Sequence, residues 1–176
     1  GEKVVLALVP QDGLSLLVVG DAMRGRTVAD RTRISGRPDY PLQKIPASWV
    51  AGFDLAVADL EGPVTPLRRP PEKSIDFQFD PSWLSVFKTH GWDVFSQANN
   101  HALDQVALGY ADSVSRLREA GFISFGHQVD DGLIALATTT VKGQTIAFLG
   151  WNTTDNPLNR AQALEAITVA KQEADL

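Results

Sequence analysis

Short apolar runs recur along the chain, each closed by a polar or glycine-bearing break. The runs "KVVLALV" and "LSLLVVG" flank the turn "PQDG" and predict two strands, the second ending in Gly20-Asp21. A loop rich in arginine follows. "PASWVAGF" then predicts a short helix with Pro46 near its start, and "DLAVADLEG" a buried strand ending in Glu61-Gly62. The prolines of "PVTPLRRPPEK" demand an irregular surface loop, and "SIDFQFD" alternates with a period of two, as an extended segment does. "PSWLSVFKTHG" predicts a helix closed by Gly91, and "WDVFSQA" the next strand. From about Gln105 to Ala120, the apolar residues Val106, Tyr110, Val114 and Leu117 recur at helical spacing, and Gly121 ends that helix. "FISFG" predicts a strand, "LIALATTTVKGQTIAFLGW" a hairpin about Lys142-Gly143, and "PLNRAQALEAITVAKQEA" a helix of good formers. The closing "DL" has the look of another strand beginning.

Strands alternating with helices define an α/β class. Four of the strands end in polar or glycine-bearing signatures, "GDAM", "DLEG", "ANNH" and "FGHQ". Ligands in open α/β sheets gather beyond the carboxyl ends of the strands, so these four ends are expected to face one crevice.

Composition narrows the chemistry. The chain has 176 residues, 44% of them hydrophobic, and a net charge of -5, which gives it one ordinary core and no basic footprint for nucleic acid. Residues 22–44 run against that charge, with Arg24, Arg26, Arg31, Arg33, Arg37 and Lys44 set against Asp30 and Asp39. Either a solvated loop or a surface that meets an anionic substrate accounts for them. Without cysteine, any metal must be held by carboxylate, imidazole, amide or water. No apolar run approaches a membrane span of roughly 18 residues, and "GEKVVLALVPQDG" lacks the basic start and cleavage site of a signal peptide.

Each polar signature has a structural reading and a chemical one. Asp21 suits a turn cap, Glu61 an exposed strand end, and Asn99, Asn100 and Asp104 the start of the helix that follows. Taken together, Asp and Glu oxygens, an Asn amide and the adjacent His101 form a set that serves a divalent cation and proton transfer, with Asp104 placed to orient the imidazole.

The segments "GDAMRGR", "DLEGPVT", "ANNHALD" and "TIAFLGWN" resemble, in order, the motifs of the CapA family of poly-gamma-glutamate capsule biosynthesis proteins, which is related to the calcineurin-like metallophosphoesterases. The resemblance implies a metallophosphatase-like α/β sandwich, with residues 1–176 as the N-terminal major part of one domain and the C-terminal part of the fold lying beyond it. It also implies a divalent metal, Mn, Mg or Zn, incompletely coordinated here by Asp21, Glu61 and Asn100. By the same resemblance His101, assisted by Asp104, is the catalytic group, and Arg26 and Asn99 contact substrate; His127, which follows a strand, is either a surface histidine or a further substrate contact. The implied partners are an anionic polymer or phosphoester and a membrane synthase complex at the bacterial surface, acting either as a hydrolase or transferase or as a noncatalytic polymer-binding subunit. A truncated sheet is further expected to self-associate. One departure stands out: phosphoesterases place a histidine two positions after the first Asp, and this chain has Met23, which is suited to packing.

Overall fold

The computed structural model describes residues 13–70, 73–126, 136–154 and 157–176. The expected strand "KVVLALV" and His127 lie outside the described residues. Strands β1 (Leu16–Ala22), β2 (Leu55–Leu60), β3 (Val94–Ser96) and β4 (Ile123–Phe125) form a parallel sheet in the order β1-β2-β3-β4. Helices α1 (Arg26–Ser35), α2 (Ala47–Val50), α3 (Trp83–Thr89) and α4 (Val106–Glu119) lie in the connections. The hairpin β5 (Ala137–Val141) and β6 (Gln144–Phe148) is antiparallel and turns at Lys142-Gly143, and α5 (Arg160–Glu173) follows.

The α/β sandwich arises because β2 is apolar on both faces, as a strand covered on both sides must be. Ala56, Ala58 and Leu60 join Phe95, Trp83, Phe87 and Leu117 in a core under α3 and α4. Leu55 and Val57 face the other way, packing with Val94, Phe125, Ile146 and Phe148 beneath the hairpin. Asp54 fastens that hairpin to the sheet, since it accepts from Lys142 Nζ at 2.9 Å and from Ser15 Oγ at 2.8 Å. Past α5, the N–H of Asp175 donates to the Thr145 carbonyl at 2.8 Å and that of Ala147 to the Leu176 carbonyl at 2.8 Å, so "DL" does run beside β6.

Three expectations change, and a fourth, the alternating "SIDFQFD", stands with little pairing. Residues 26–35, read as part of a loop, are helix α1, which buries only Thr32 and so carries no apolar stripe to reveal it. The buried positions of α4 are Gly109, Ser113 and Leu117, not the full Val106, Tyr110, Val114 and Leu117 row. The helix is turned to hydrogen-bond rather than merely to pack: Ser113 Oγ accepts from the Val64 N–H at 2.9 Å and from Gln97 Nε2 at 3.0 Å. "SIDFQFD" keeps its alternation, with Phe77 and Phe79 buried, yet forms only one isolated bridge, Val64 with Phe79. Asp104 does not begin α4, whose cap is Gln105 without a capping side chain.

Candidate functional site

Parallel pairing brings the carboxyl ends of the four strands side by side. Asp21 pairs in register with Asp59 and Ala22 with Leu60, and the N–H of Glu61 donates to the Ala22 carbonyl at 3.2 Å. Ser96, which ends β3, is in register with Asp59 on one side and Phe125 on the other. An added Cβ at Gly126 or at Gly150 would stand 2.9 Å from Ala98 Cβ, so the ends of β4 and β6 close tightly on the "ANNH" turn. Among the described strands the order β1-β2-β3-β4 has no reversal, and the site lies at their carboxyl-end edge.

Asn99 anchors the turn. Its amide donates to Asp59 Oδ2 at 3.0 Å and to the Leu60 carbonyl at 3.0 Å, while its oxygen accepts from the His101 N–H at 3.0 Å. The amide expected to meet substrate is thus engaged within the protein, where it joins the end of β2 to the residue that follows β3.

The turn delivers His101 inward, and only 8% of the residue is exposed. Its Nδ1 lies 2.6 Å from Asp104 Oδ2, and its Nε2 lies 3.8 Å from Glu61 Oε1. The Asp104 side chain, 1% exposed, also accepts from the Phe77 N–H at 2.7 Å, and Lys73 Nζ stands 3.2 Å from its other oxygen. Lys73 Nζ further donates to the Asn100 carbonyl at 2.7 Å, which ties the irregular loop to the turn. A buried carboxylate needs such partners.

Phe77 and Lys73 escaped the sequence reading. The Phe77 ring packs on the imidazole with centroids 4.3 Å apart. Glycines at the α1 cap and just past β2 make room for it: an added Cβ at Gly25 would come within 2.2 Å of the ring, and one at Gly62 within 2.8 Å of Phe77 Cβ. The "SIDFQFD" alternation indicated an extended segment, but nothing in it indicated histidine as a neighbour of Phe77.

The carboxylates at this edge crowd one another. Burial, then the charge of Asp21, raises Glu61 above its ordinary value, and the facing His101 opposes that shift. Burial also raises Asp59 against hydrogen bonds from Ser96 and Asn99, and Asp21 adds to the rise. Asp21 itself is exposed, as is Arg26, the first residue of α1. Asp21, Glu61 and Asn100 therefore sit at the ends of three adjacent strands, but among the described residues no three His, Asp or Glu side chains are grouped to hold a metal ion. Met23 supplies no ligand either, because its sulfur accepts the Gly25 N–H at 3.1 Å.

The imidazole is the chemically prepared group. An Asp104 carboxylate on Nδ1 favours the tautomer that leaves Nε2 as the acceptor, and Glu61 faces that nitrogen. A ring held in this way is suited to proton transfer at Nε2.

Residues 15–175 match the family model for the bacterial capsule synthesis protein PGA_cap. The chain is also similar to the PGA biosynthesis protein CapA of Bacillus subtilis (strain 168), with 30% identity over 144 residues, covering 80% of this chain and 37% of that protein. The chain therefore spans little more than a third of that relative's length.

Proposed function

Since the chain belongs to the bacterial capsule synthesis protein PGA_cap family, we propose that it acts on an anionic capsule polymer as a hydrolase or transferase whose proton-transfer group is His101. The observation that carries this reading is the imidazole held at Nδ1 by the buried Asp104, with Nε2 turned toward Glu61. In hydrolysis, Nε2 takes a proton from water as the water oxygen bonds to the electrophilic carbon or phosphorus. The same proton passes to the departing nitrogen or oxygen, so one water is consumed for each bond cleaved. In transfer, a hydroxyl or amine of a second substrate replaces the water. Glu61 stabilises the positive charge that develops on the ring, and Asp104 keeps the ring oriented. A divalent ion, if bound at this edge, would be drawn there by Asp21 and Glu61. By analogy with the relative's capsule role, the substrate is the polymer itself and the place of action the cell surface, within a membrane synthase complex. Among the described residues, no helix is long and apolar enough to cross a membrane.

A second reading, a noncatalytic polymer-binding subunit, is favoured by Met23, which stands where a phosphoesterase ligand is expected and is turned to the Gly25 amide. Replacing His101 by Gln in the gene's natural context, in a capsule-forming bacterium, separates the two. The catalytic reading expects polymer yield or chain length to change while protein level does not. Unchanged polymer would leave the binding reading.

A further inference from the structure

An open cleft of about 750 Å³ lies between α1 and the segments 66–68 and 76–82, outside the His101 site. Arg24, Arg26, Arg33 and Arg37 line one wall and Arg68 the other, with Trp83 between them. This concentration of guanidinium groups stands in a chain of net charge -5. We propose that the cleft binds an extended polycarboxylate chain, gripped by Arg24, Arg26 and Arg68.

Arg24 is the built element. Its guanidinium lies over the Trp83 ring, 4.8 Å from the centroid, which fixes a planar fork in place. Its Nε is buried without a hydrogen-bond acceptor among the described residues. Burial lowers its pKa, and Asp80 opposes that without neutralising the charge. Arg26 and Arg68 are exposed and bring charge from opposite walls. Arg33 and Arg37 are paired with Asp30 at 2.7 Å and Asp39 at 2.9 Å, and solvent-exposed pairs of this kind exchange readily for another carboxylate.

Charge spacing selects the polymer class. Asp30, Asp76 and Asp80 also line the cleft, interleaved with the arginines. A densely charged nucleic acid meets repulsion there and from the acidic remainder, whereas singly charged groups spaced along a flexible chain fit between the aspartates. The volume exceeds what a single small anion needs. Gly25 lines the cleft and touches the Phe77 ring, whose packing reaches His101, so Phe77 is the partition between binding cleft and proton-transfer group.

The polymer class rests on the capsule reading above, but the cleft has its own test. Calorimetric titration with poly-gamma-glutamate at low and high salt is expected to show binding that weakens with salt. The double variant Arg26→Glu/Arg68→Glu should weaken it by about tenfold or more and flatten the salt dependence. Arg24→Lys keeps the charge but loses the fork, and should weaken binding by a smaller factor. Arg118→Glu on the exposed part of α4 should bind as the parent does, with circular dichroism verifying the fold of each variant. Equal binding by parent and double variant, or an equal loss in Arg118→Glu, would overturn the proposal. Equally tight binding of a single-stranded oligonucleotide would overturn the polycarboxylate assignment. If cleft variants lose binding while His101→Gln leaves capsule production unchanged, the catalytic reading fails and the cleft stands; the reverse pattern removes the cleft alone.

Discussion

The Phe77 backbone N–H donates, over 2.7 Å, to the same Asp104 oxygen that lies 2.6 Å from His101 Nδ1. A residue of the proline-rich connection thus fixes the carboxylate that fixes the histidine. The Phe77 ring meanwhile covers the imidazole face at 4.3 Å between centroids. The orientation of His101 depends on a loop distant in sequence as much as on its own turn.

Asp104→Ala leaves the Phe77 N–H and the imidazole without their acceptor inside the protein. Removing one partner of a buried hydrogen bond costs about 1–3 kcal/mol, so denaturant unfolding should show a loss in that range. Asp104→Asn keeps the volume and part of the bonding. It should retain most of the stability while disturbing the tautomer of His101, visible in the ring nitrogen shifts by NMR.

Gly62 adopts φ 123°, and a Cβ there would stand 2.8 Å from Phe77 Cβ. Gly62→Ala should destabilise by about 1–3 kcal/mol, the cost of a side chain held in this backbone region, with steric displacement of Phe77 in addition. Gly143→Ala at the hairpin tip has positive φ but open space, and should cost less. Thermal unfolding of the two variants side by side checks the order.

Glu61 titrates above its ordinary value of 4.5 because burial and Asp21 disfavour its charge. The folded state therefore holds this proton more tightly than the unfolded chain does. The resulting contribution to stability is present at low pH and is lost as pH rises through the raised value. Glu61→Gln should accordingly raise the melting temperature at pH 7, with the gain fading as the pH falls below about 4. A loss of stability at pH 7 would mean that His101 outweighs burial.

Asp54 shows the opposite sign. Lys142, then Ser15, lowers its pKa from 3.8 to about 2. Its contribution is fully present above 3.8 and disappears as the pH falls through about 2. Asp54→Asn should lower the melting temperature at pH 6 and leave it nearly unchanged near pH 2, and raising the salt should narrow the difference at pH 6.

Strands announced themselves in the sequence wherever both faces are covered, as in β2, where "LAVADL" is apolar almost throughout. The order of polar strand ends was legible for the same reason: Asp21, Glu61, Asn99 and His101 each follow an apolar run. Helix α1 was not, because nine of its ten residues lie outside the buried set and only packing writes a stripe into sequence. The buried positions of α4 were misjudged because Gln105, Gly109 and Ser113 are inside for their hydrogen bonds and small size, which hydrophobic periodicity does not register. Spacing brought Asp104 to His101, since three residues span that distance, but assigned it a capping role that falls to no side chain. Phe77 and Lys73 reach the site across 24 to 31 residues of chain, contacts that local pattern does not encode.

Polymer produced by a capsule-forming bacterium carrying His101→Gln in the gene's natural context, compared with the parent at equal protein level, tests the central claim most directly. The account predicts that polymer yield or chain length changes, as expected when a general acid–base contribution of about 10²–10⁴-fold is removed. Polymer of unchanged amount and length, with the variant folded and still bound to poly-gamma-glutamate, would contradict a catalytic role for His101.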